Sequence, residues 1–267
     1  MTYFKYIIYG LIQGFTEFLP ISSTAHLKVF SELFGIDDPG SSISAILQLG
    51  SVIAILFYFR RDILFRKKSF SNFFNRNIFN NKLVKSIFIG TTLILIFGGM
   101  VKIFLPNFSN SFLRSNFSIA IISTLMALVM LLSDKCKGKK ITLKNHNFSD
   151  SLKIGLGQAL AIIPGVSRSG ITISIALILG WERKDAAKYS FLLGIPAIGL
   201  AAIVELLDSI RNGIYIYFGP LLIGLITTFI VSIFTIDFLI KYIPLKGLKI
   251  FAYYRILFAI IIFGSYF

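Results

Sequence analysis

Two apolar stretches of this chain each hold a small group of side chains able to handle a phosphate. The first, QGFTEFLPISSTAH, brings Gln13, Glu17, Ser22, Ser23, Thr24 and His26 into one short segment. The second, PGVSRSGIT, does the same for Gly165, Ser167, Arg168, Ser169 and Thr172. A guanidinium matches phosphoryl oxygens with a planar fork and stays ionised. A carboxylate or an imidazole can take a proton, and a hydroxyl beside such a base can attack phosphorus. At membrane depth these groups are expensive, so they face a cavity, pair with each other or bind something charged. The set is a kit for holding and cutting a phosphate at the edge of a membrane.

The residues around them say how they are held. Gln13 and Glu17 are four apart and share one helix face. Pro20 ends or kinks that helix. Ser22, Ser23 and Thr24 are expected to cap the helix that restarts toward His26, leaving its free amides to point at an anion. In the second stretch Gly165 and Gly170 let the backbone come close to a ligand, and Ser167, Arg168 and Ser169 open another half-helix. The competing reading makes the serines plain caps and Arg168 a structural ion-pair partner of Glu17. Both readings bring Arg168 to Glu17. Among the other polar residues, Gln48 and Gln158 are expected to bond between helices. Asp237 should pair with Lys241, and Glu205 and Asp208 should lie near an outer boundary. His146 is expected to be solvated in a lysine-rich loop.

The whole chain supplies the setting. Its 267 residues are 55% hydrophobic with a mean hydropathy of +0.80, a balance that points to an all-α integral membrane protein with no soluble domain. Apolar runs near the length needed to cross a core of ~30 Å fall at 43–59, 86–105, 117–133, 188–206, 215–240 and 250–267. Two more, 3–35 and 153–181, are broken by LPISST and IPGVSRSG. Broken helices occur in membranes only where the freed backbone faces protein or water. The net charge of +15 sits mostly in the loops, which fits topology and anionic membrane lipids and argues against a nucleic-acid partner. Cys136, the only cysteine, is expected in the cytosol. The first segment lacks a signal-peptide pattern, so it should remain in the mature protein. No Walker-type loop, dinucleotide fingerprint or zinc spacing is present.

Loop charge predicts the topology. Residues 60–85 carry eight Lys/Arg and 134–153 six lysines, so both loops should be cytosolic. If 153–181 enters and returns on one side, Arg183, Lys184, Lys188, Lys241, Lys246 and Lys249 are cytosolic too. The expectation is six transmembrane helices plus two re-entrant helix pairs, the first entering from outside and the second from the cytosol. Pro20 and Pro164, Ser23 and Ser167, and Gly50 and Gly194 all share an offset of 144 residues, while IG at 89–90 returns at 223–224. This suggests a single membrane domain of two inverted-topology repeats, 1–133 and 153–267, joined by a cytosolic linker, 134–152.

At both stretches the chain resembles the undecaprenyl-diphosphate phosphatase family, integral membrane enzymes associated with bacitracin resistance. The family's first motif, Glu or Gln then Glu four residues on, is met by Gln13 and Glu17. Its second, PGxSRSxxT, is met by Pro164 through Thr172. The resemblance implies removal of the terminal phosphate of a C55 polyprenyl diphosphate, recycling the lipid carrier for cell-wall polysaccharides. It also implies a divalent cation, Mg2+ or Ca2+, held by Glu17 with Gln13 assisting, and a site in the bacterial plasma membrane that opens outward. Many members have two glutamates in the first motif; Gln13 cannot act as a base, so the heavier duty falls on Glu17. For the chemistry, Ser23 could attack with His26 or Glu17 as base, His26 could attack directly, or it could activate water. Ser22, Thr24, Gly165, Ser167, Arg168, Ser169 and Thr172 would bind phosphate. A flippase or secondary transporter of the polyprenyl phosphate is the rival class, a lipid-binding scaffold is a third reading, and a homodimer is compatible with the chain.

Overall fold

The structure, a computed structural model, describes residues 2–37, 39–61, 82–105, 111–136, 140–212 and 217–264. The described residues form ten α-helices: α1 (Thr2–Thr16), α2 (Ser23–Leu33), α3 (Gly40–Tyr58), α4 (Lys82–Phe104), α5 (Asn116–Lys135), α6 (Phe148–Ala159), α7 (Arg168–Ile178), α8 (Arg183–Arg211), α9 (Phe218–Lys246) and α10 (Lys249–Gly264). Four of them, α4, α5, α8 and α9, are long and apolar enough to cross a membrane. The two broken stretches become helix pairs, α1–α2 and α6–α7. These helices have 15, 11, 12 and 11 residues, all short of the ~20 that a full crossing needs. Most of the basic loop read at 60–85 lies outside the described residues, as do Lys137, Lys139 and the last three positions of the span read at 250–267.

Packing between the halves is reciprocal. α1 lies along α9, and α6 lies along α4; α3 packs on α8, and α5 on α10. Small residues allow the close pairs. A Cβ on Gly10 would stand 2.6 Å from the Gly224 carbonyl oxygen, and one on Gly155 would stand 2.7 Å from the Gly90 Cα. The repeated IG pair thus marks the surfaces on which the two short first helices seat.

The ends of the helices sort into two groups. At one end, Arg183 at the start of α8 pairs with Asp134 at the end of α5 at 2.7 Å, and Ser86 near the start of α4 meets His146 just before α6. At the other, Lys5 in α1 pairs with Asp37 beyond α2 at 2.6 Å, Lys102 pairs with Asp208, and Ser42 donates to Glu205 at 3.4 Å. The two helix pairs therefore enter the bundle from opposite ends. The expected pairing of Lys241 with Asp237 is present at 2.6 Å, and Gln158 donates across to the Gly90 carbonyl at 3.2 Å.

One expectation fails here. His146 is not solvated but fully buried. Its Nδ1 lies 3.0 Å from the Leu143 carbonyl and its Nε2 2.8 Å from Ser86 Oγ, with Trp181 and Tyr189 against its ring. Burial pushes its pKa below the ordinary imidazole value. Its lysine neighbours in sequence gave no hint of the α4 and α8 groups that close over it.

Candidate active site

The site forms where the tips of the two short helix pairs meet. α1 buries Tyr6, Tyr9, Gly10 and Gln13 on one face, and a last helical bond from the Glu17 amide to the Gln13 carbonyl, 3.0 Å, carries Glu17 on the same turn. The chain then turns sharply, with Ile21 N–H bonded to the Leu19 carbonyl at 2.7 Å. Ser22 follows at φ +76° and Ser167, before α7, at φ +69°. A non-glycine residue there costs about 1–3 kcal/mol and persists where its surroundings hold it, commonly at functional sites.

The structure corrects the register read from the prolines. Pro20 stands three residues before the first residue of α2, whereas Pro164 stands four before the first residue of α7. Ser22 therefore matches Ser167, and Ser23 matches Arg168 rather than Ser167. The capping expected of the first loop is not seen at Ser22; a side-chain cap forms in the second loop instead. Ser167 Oγ accepts from the Gly170 amide at 3.3 Å, but Ser22 makes no side-chain cap; its hydroxyl lies 3.3 Å from that of Thr24, which is exposed.

Glu17 is the junction. Ser23 Oγ donates to its Oε2 at 2.9 Å, and Gln13 Nε2 donates to the same oxygen at 2.7 Å. Arg168 Nη2 reaches the other oxygen, Oε1, at 3.5 Å. The Arg168 and Glu17 side chains are 10% and 6% exposed. Arg168 Nη1 is anchored on the Ser190 carbonyl at 3.0 Å, while its Nε–H is buried with no acceptor. Gly194 makes room for the guanidinium, since a Cβ there would collide with Nη1. Ser169 Oγ donates across the tips to the Leu19 carbonyl at 3.1 Å. Thr172 Oγ1 bonds the Arg168 carbonyl at 2.8 Å and lies 2.7 Å from Ser190 Oγ. Gly165, at φ +93°, packs against α5 beside Ile122.

This arrangement can hold an anion between a fork donor and two helix starts, with a hydroxyl already bonded to a carboxylate. The sequence profile described as bacitracin resistance protein BacA matches residues 6–261, a span containing both kinked loops. The chain belongs to the BacA family. It is 59% identical over 262 residues to the undecaprenyl-diphosphatase of Prochlorococcus marinus strain MIT 9515, covering 98% of both chains. The protein of that name from strain MIT 9301 is 58% identical over 262 residues, again 98% of each. That of strain NATL2A is 48% identical over 263 residues, 97% of this chain and 94% of the other.

His26 sits differently from the other site residues of this BacA-family chain. Its Nδ1 lies 2.8 Å from the Ser22 carbonyl and its Nε2 2.8 Å from the Tyr254 hydroxyl. A carbonyl only accepts, so Nδ1 carries the proton, and the neutral ring's Nε2 accepts from Tyr254. The ring stacks on Phe258 with centroids 4.2 Å apart. Both nitrogens are thus engaged away from Ser23.

Reasoning from sequence missed Arg255. It is fully buried in α10 and donates to backbone carbonyls of both tips: Nη1 to Pro20 at 3.2 Å and Val166 at 3.5 Å, and Nη2 to Gly165. Its Nε donates to Ser123 of α5 at 3.2 Å. These are carbonyls that the broken helices leave without partners, and the guanidinium fork satisfies them from the interior. Each buried acceptor left unmet costs about 1–3 kcal/mol. Arg255→Ala is therefore expected to lower the melting temperature in detergent and turnover together. Arg255→Lys should rescue little, because one ammonium cannot span both loops. Melting and turnover equal to wild type in Arg255→Ala would take this residue out of the site.

Gln13 Oε1 is buried beside the Glu17 carboxylate with no hydrogen-bond donor, an acceptor that suits a hard cation. Among the described residues no three His, Cys, Asp or Glu side chains cluster as a metal site, so ligands beyond this pair would come from substrate and water.

Proposed function

We infer that this chain hydrolyses undecaprenyl diphosphate to undecaprenyl phosphate and inorganic phosphate. The observation that carries the reading is the Glu17 carboxylate held between the Ser23 hydroxyl and the Arg168 guanidinium. The identity to relatives named for this activity supports it over nearly the whole chain.

The reaction follows from those contacts. The polyprenyl tail stays in lipid while the diphosphate enters between the tips. The free Nε–H of Arg168, the Ser22 and Thr24 hydroxyls and the unpaired amides at the starts of α2 and α7 receive the phosphoryl oxygens. Ser167, Ser169 and Thr172 brace the second tip through the bonds that they already make. Ser23 Oγ attacks the terminal phosphorus as its proton passes to Glu17. The bond to the bridging oxygen breaks, and the lipid monophosphate leaves with the electron pair. Once Glu17 has released that proton to solvent, it takes one from water. The water oxygen attacks the phosphoserine, inorganic phosphate departs, and Ser23 recovers its proton. A divalent cation, Mg2+ or Ca2+, would be held by Glu17 and Gln13 Oε1 and would neutralise charge on the phosphoryl oxygens. Phosphoryl transfer depends chiefly on such positioning and charge stabilisation.

His26 is on this reading a positioning residue that holds the backbone of Ser22. His26→Ala should lower kcat by about 10²-fold, the scale of a small misplacement of reacting groups, with the shape of the pH–rate profile kept. Loss of the acidic limb in this variant would instead make the imidazole the base or the nucleophile.

The lysine-rich end of the bundle faces the cytosol by the charge rule. On this reading α3, α4, α5, α8, α9 and α10 cross the plasma membrane. α1–α2 enters from outside, α6–α7 enters from the cytosol, and the site opens outward. The reciprocal packing of the halves supports two inverted repeats. The direct test is phosphate release by the purified chain from undecaprenyl and shorter prenyl diphosphates with Mg2+ or Ca2+. Equal amounts of lipid monophosphate and phosphate are expected, and no release with either cation would end the reading.

A further inference from the structure

A cavity of about 500 Å3 opens at the basic end of the bundle, where α8 and α10 begin and α5 and α7 end. It lies away from the site: on α5 its lining residue Asp134 is eleven residues beyond Ser123, about 16 Å of helix, and on α7 its lining residue Leu177 is nine beyond Arg168, about 13 Å. Lys135, Lys140 and Lys249 line it, as do Trp181 and the Arg183–Asp134 ion pair. Glu182 brings one further carboxylate. Because Arg183 and Asp134 offset each other, the lysines leave the cavity cationic.

Two polar atoms in its wall are left over. Trp181 is 3% exposed, and its indole N–H is buried with no acceptor; Asp134 Oδ2 is buried with no donor. An unmet buried polar group costs enough that native proteins pair nearly all of them. A single partner that accepts from the indole and donates to the carboxylate would meet both. The wall also carries Leu177, and the neighbouring Leu132, Leu245, Ile178 and Ile250 are exposed, an apolar rim suited to acyl chains.

We propose that this cavity binds the headgroup of an anionic glycerophospholipid, phosphatidylglycerol by class. Its phosphate accepts from Trp181 Nε1 and the lysines, its glycerol hydroxyls donate to Asp134 Oδ2, and its chains lie along the rim. A choline headgroup fits poorly, with no hydroxyl or amine donor and a cation set against the lysines.

Trp181 is the only tryptophan in the chain, so its fluorescence reports on the cavity. The test titrates the full-length protein in a neutral detergent with short-chain phosphatidylglycerol, short-chain phosphatidylcholine, glycerol phosphate and inorganic phosphate. Phosphatidylglycerol should give a saturable change. Lys135→Gln/Lys140→Gln/Lys249→Gln should weaken it by about tenfold or more, since each lysine near a membrane surface favours anionic lipid. Phosphate release by this triple variant in detergent should match wild type, which separates a failed cavity from a failed fold. Equal responses to the two lipids, or an unchanged titration in the triple variant, would overturn the proposal. Saturation by inorganic phosphate or glycerol phosphate at the same concentration would reassign the cavity to a soluble anion and overturn the lipid.

Discussion

Glu17→Gln is expected to lower turnover of undecaprenyl diphosphate by about 10²–10⁴-fold, the range that general-base catalysis contributes. The amide has nearly the volume of the carboxylate, and its single oxygen can still accept from either Ser23 or Arg168, though not from both, so packing changes little while the proton acceptor is lost. Ser23→Ala should fall into the same range, because it removes the atom that Glu17 is placed to deprotonate at 2.9 Å. The sharper expectation concerns the pair. Residues that act as one unit are strongly non-additive, so Glu17→Gln/Ser23→Ala should be no slower than the worse single variant. Rapid acid quenching of the wild type should trap phosphate on Ser23, and Ser23→Ala should trap none. If the losses multiply in the double variant, Glu17 and Ser23 serve separate steps. In that case water, not the serine, is the attacking group.

The readability of this chain followed the reach of each interaction. Hydropathy and the two prolines placed the ten helices seen among the described residues, because the length of an apolar run and the loss of a helical hydrogen bond are local properties. The convergence of Arg168 with Glu17 was readable too, since a membrane carboxylate and a membrane arginine each need an opposite charge. What failed depended on backbone detail or on distant neighbours. The step from Pro20 to Ser23 is one residue shorter than that from Pro164 to Arg168, and nothing in the residue types announces the difference. Serine does not advertise a positive φ as glycine would. Arg255 was hidden by its company, FAYYRILFAIIIFG, which reads as a plain span. The signal was nonetheless there. A charge at membrane depth without an acid nearby must find acceptors, and broken helices are where free carbonyls are found.

Arg168→Ala is expected to abolish measurable turnover and also to weaken the fold, and the two effects can be separated. Its side chain and that of Glu17 are 10% and 6% exposed. Breaking a buried pair from one side costs about 3–5 kcal/mol, chiefly from the charge left behind. Arg168→Ala/Glu17→Gln removes that charge, so its melting temperature should recover toward wild type while its activity does not. Arg168→Lys discriminates further. An ammonium can pair with Glu17, but it cannot also bond the Ser190 carbonyl as Nη1 does at 3.0 Å and leave an Nε–H for substrate. It should keep the stability of the pair and still lose about 10²–10³-fold in kcat, the scale of removing one positioned charge-stabilising donor. Near-wild-type kcat in Arg168→Lys, with only KM raised, would mean that the arginine supplies uniform attraction for the diphosphate rather than a fork fitted to the phosphoryl group in transfer.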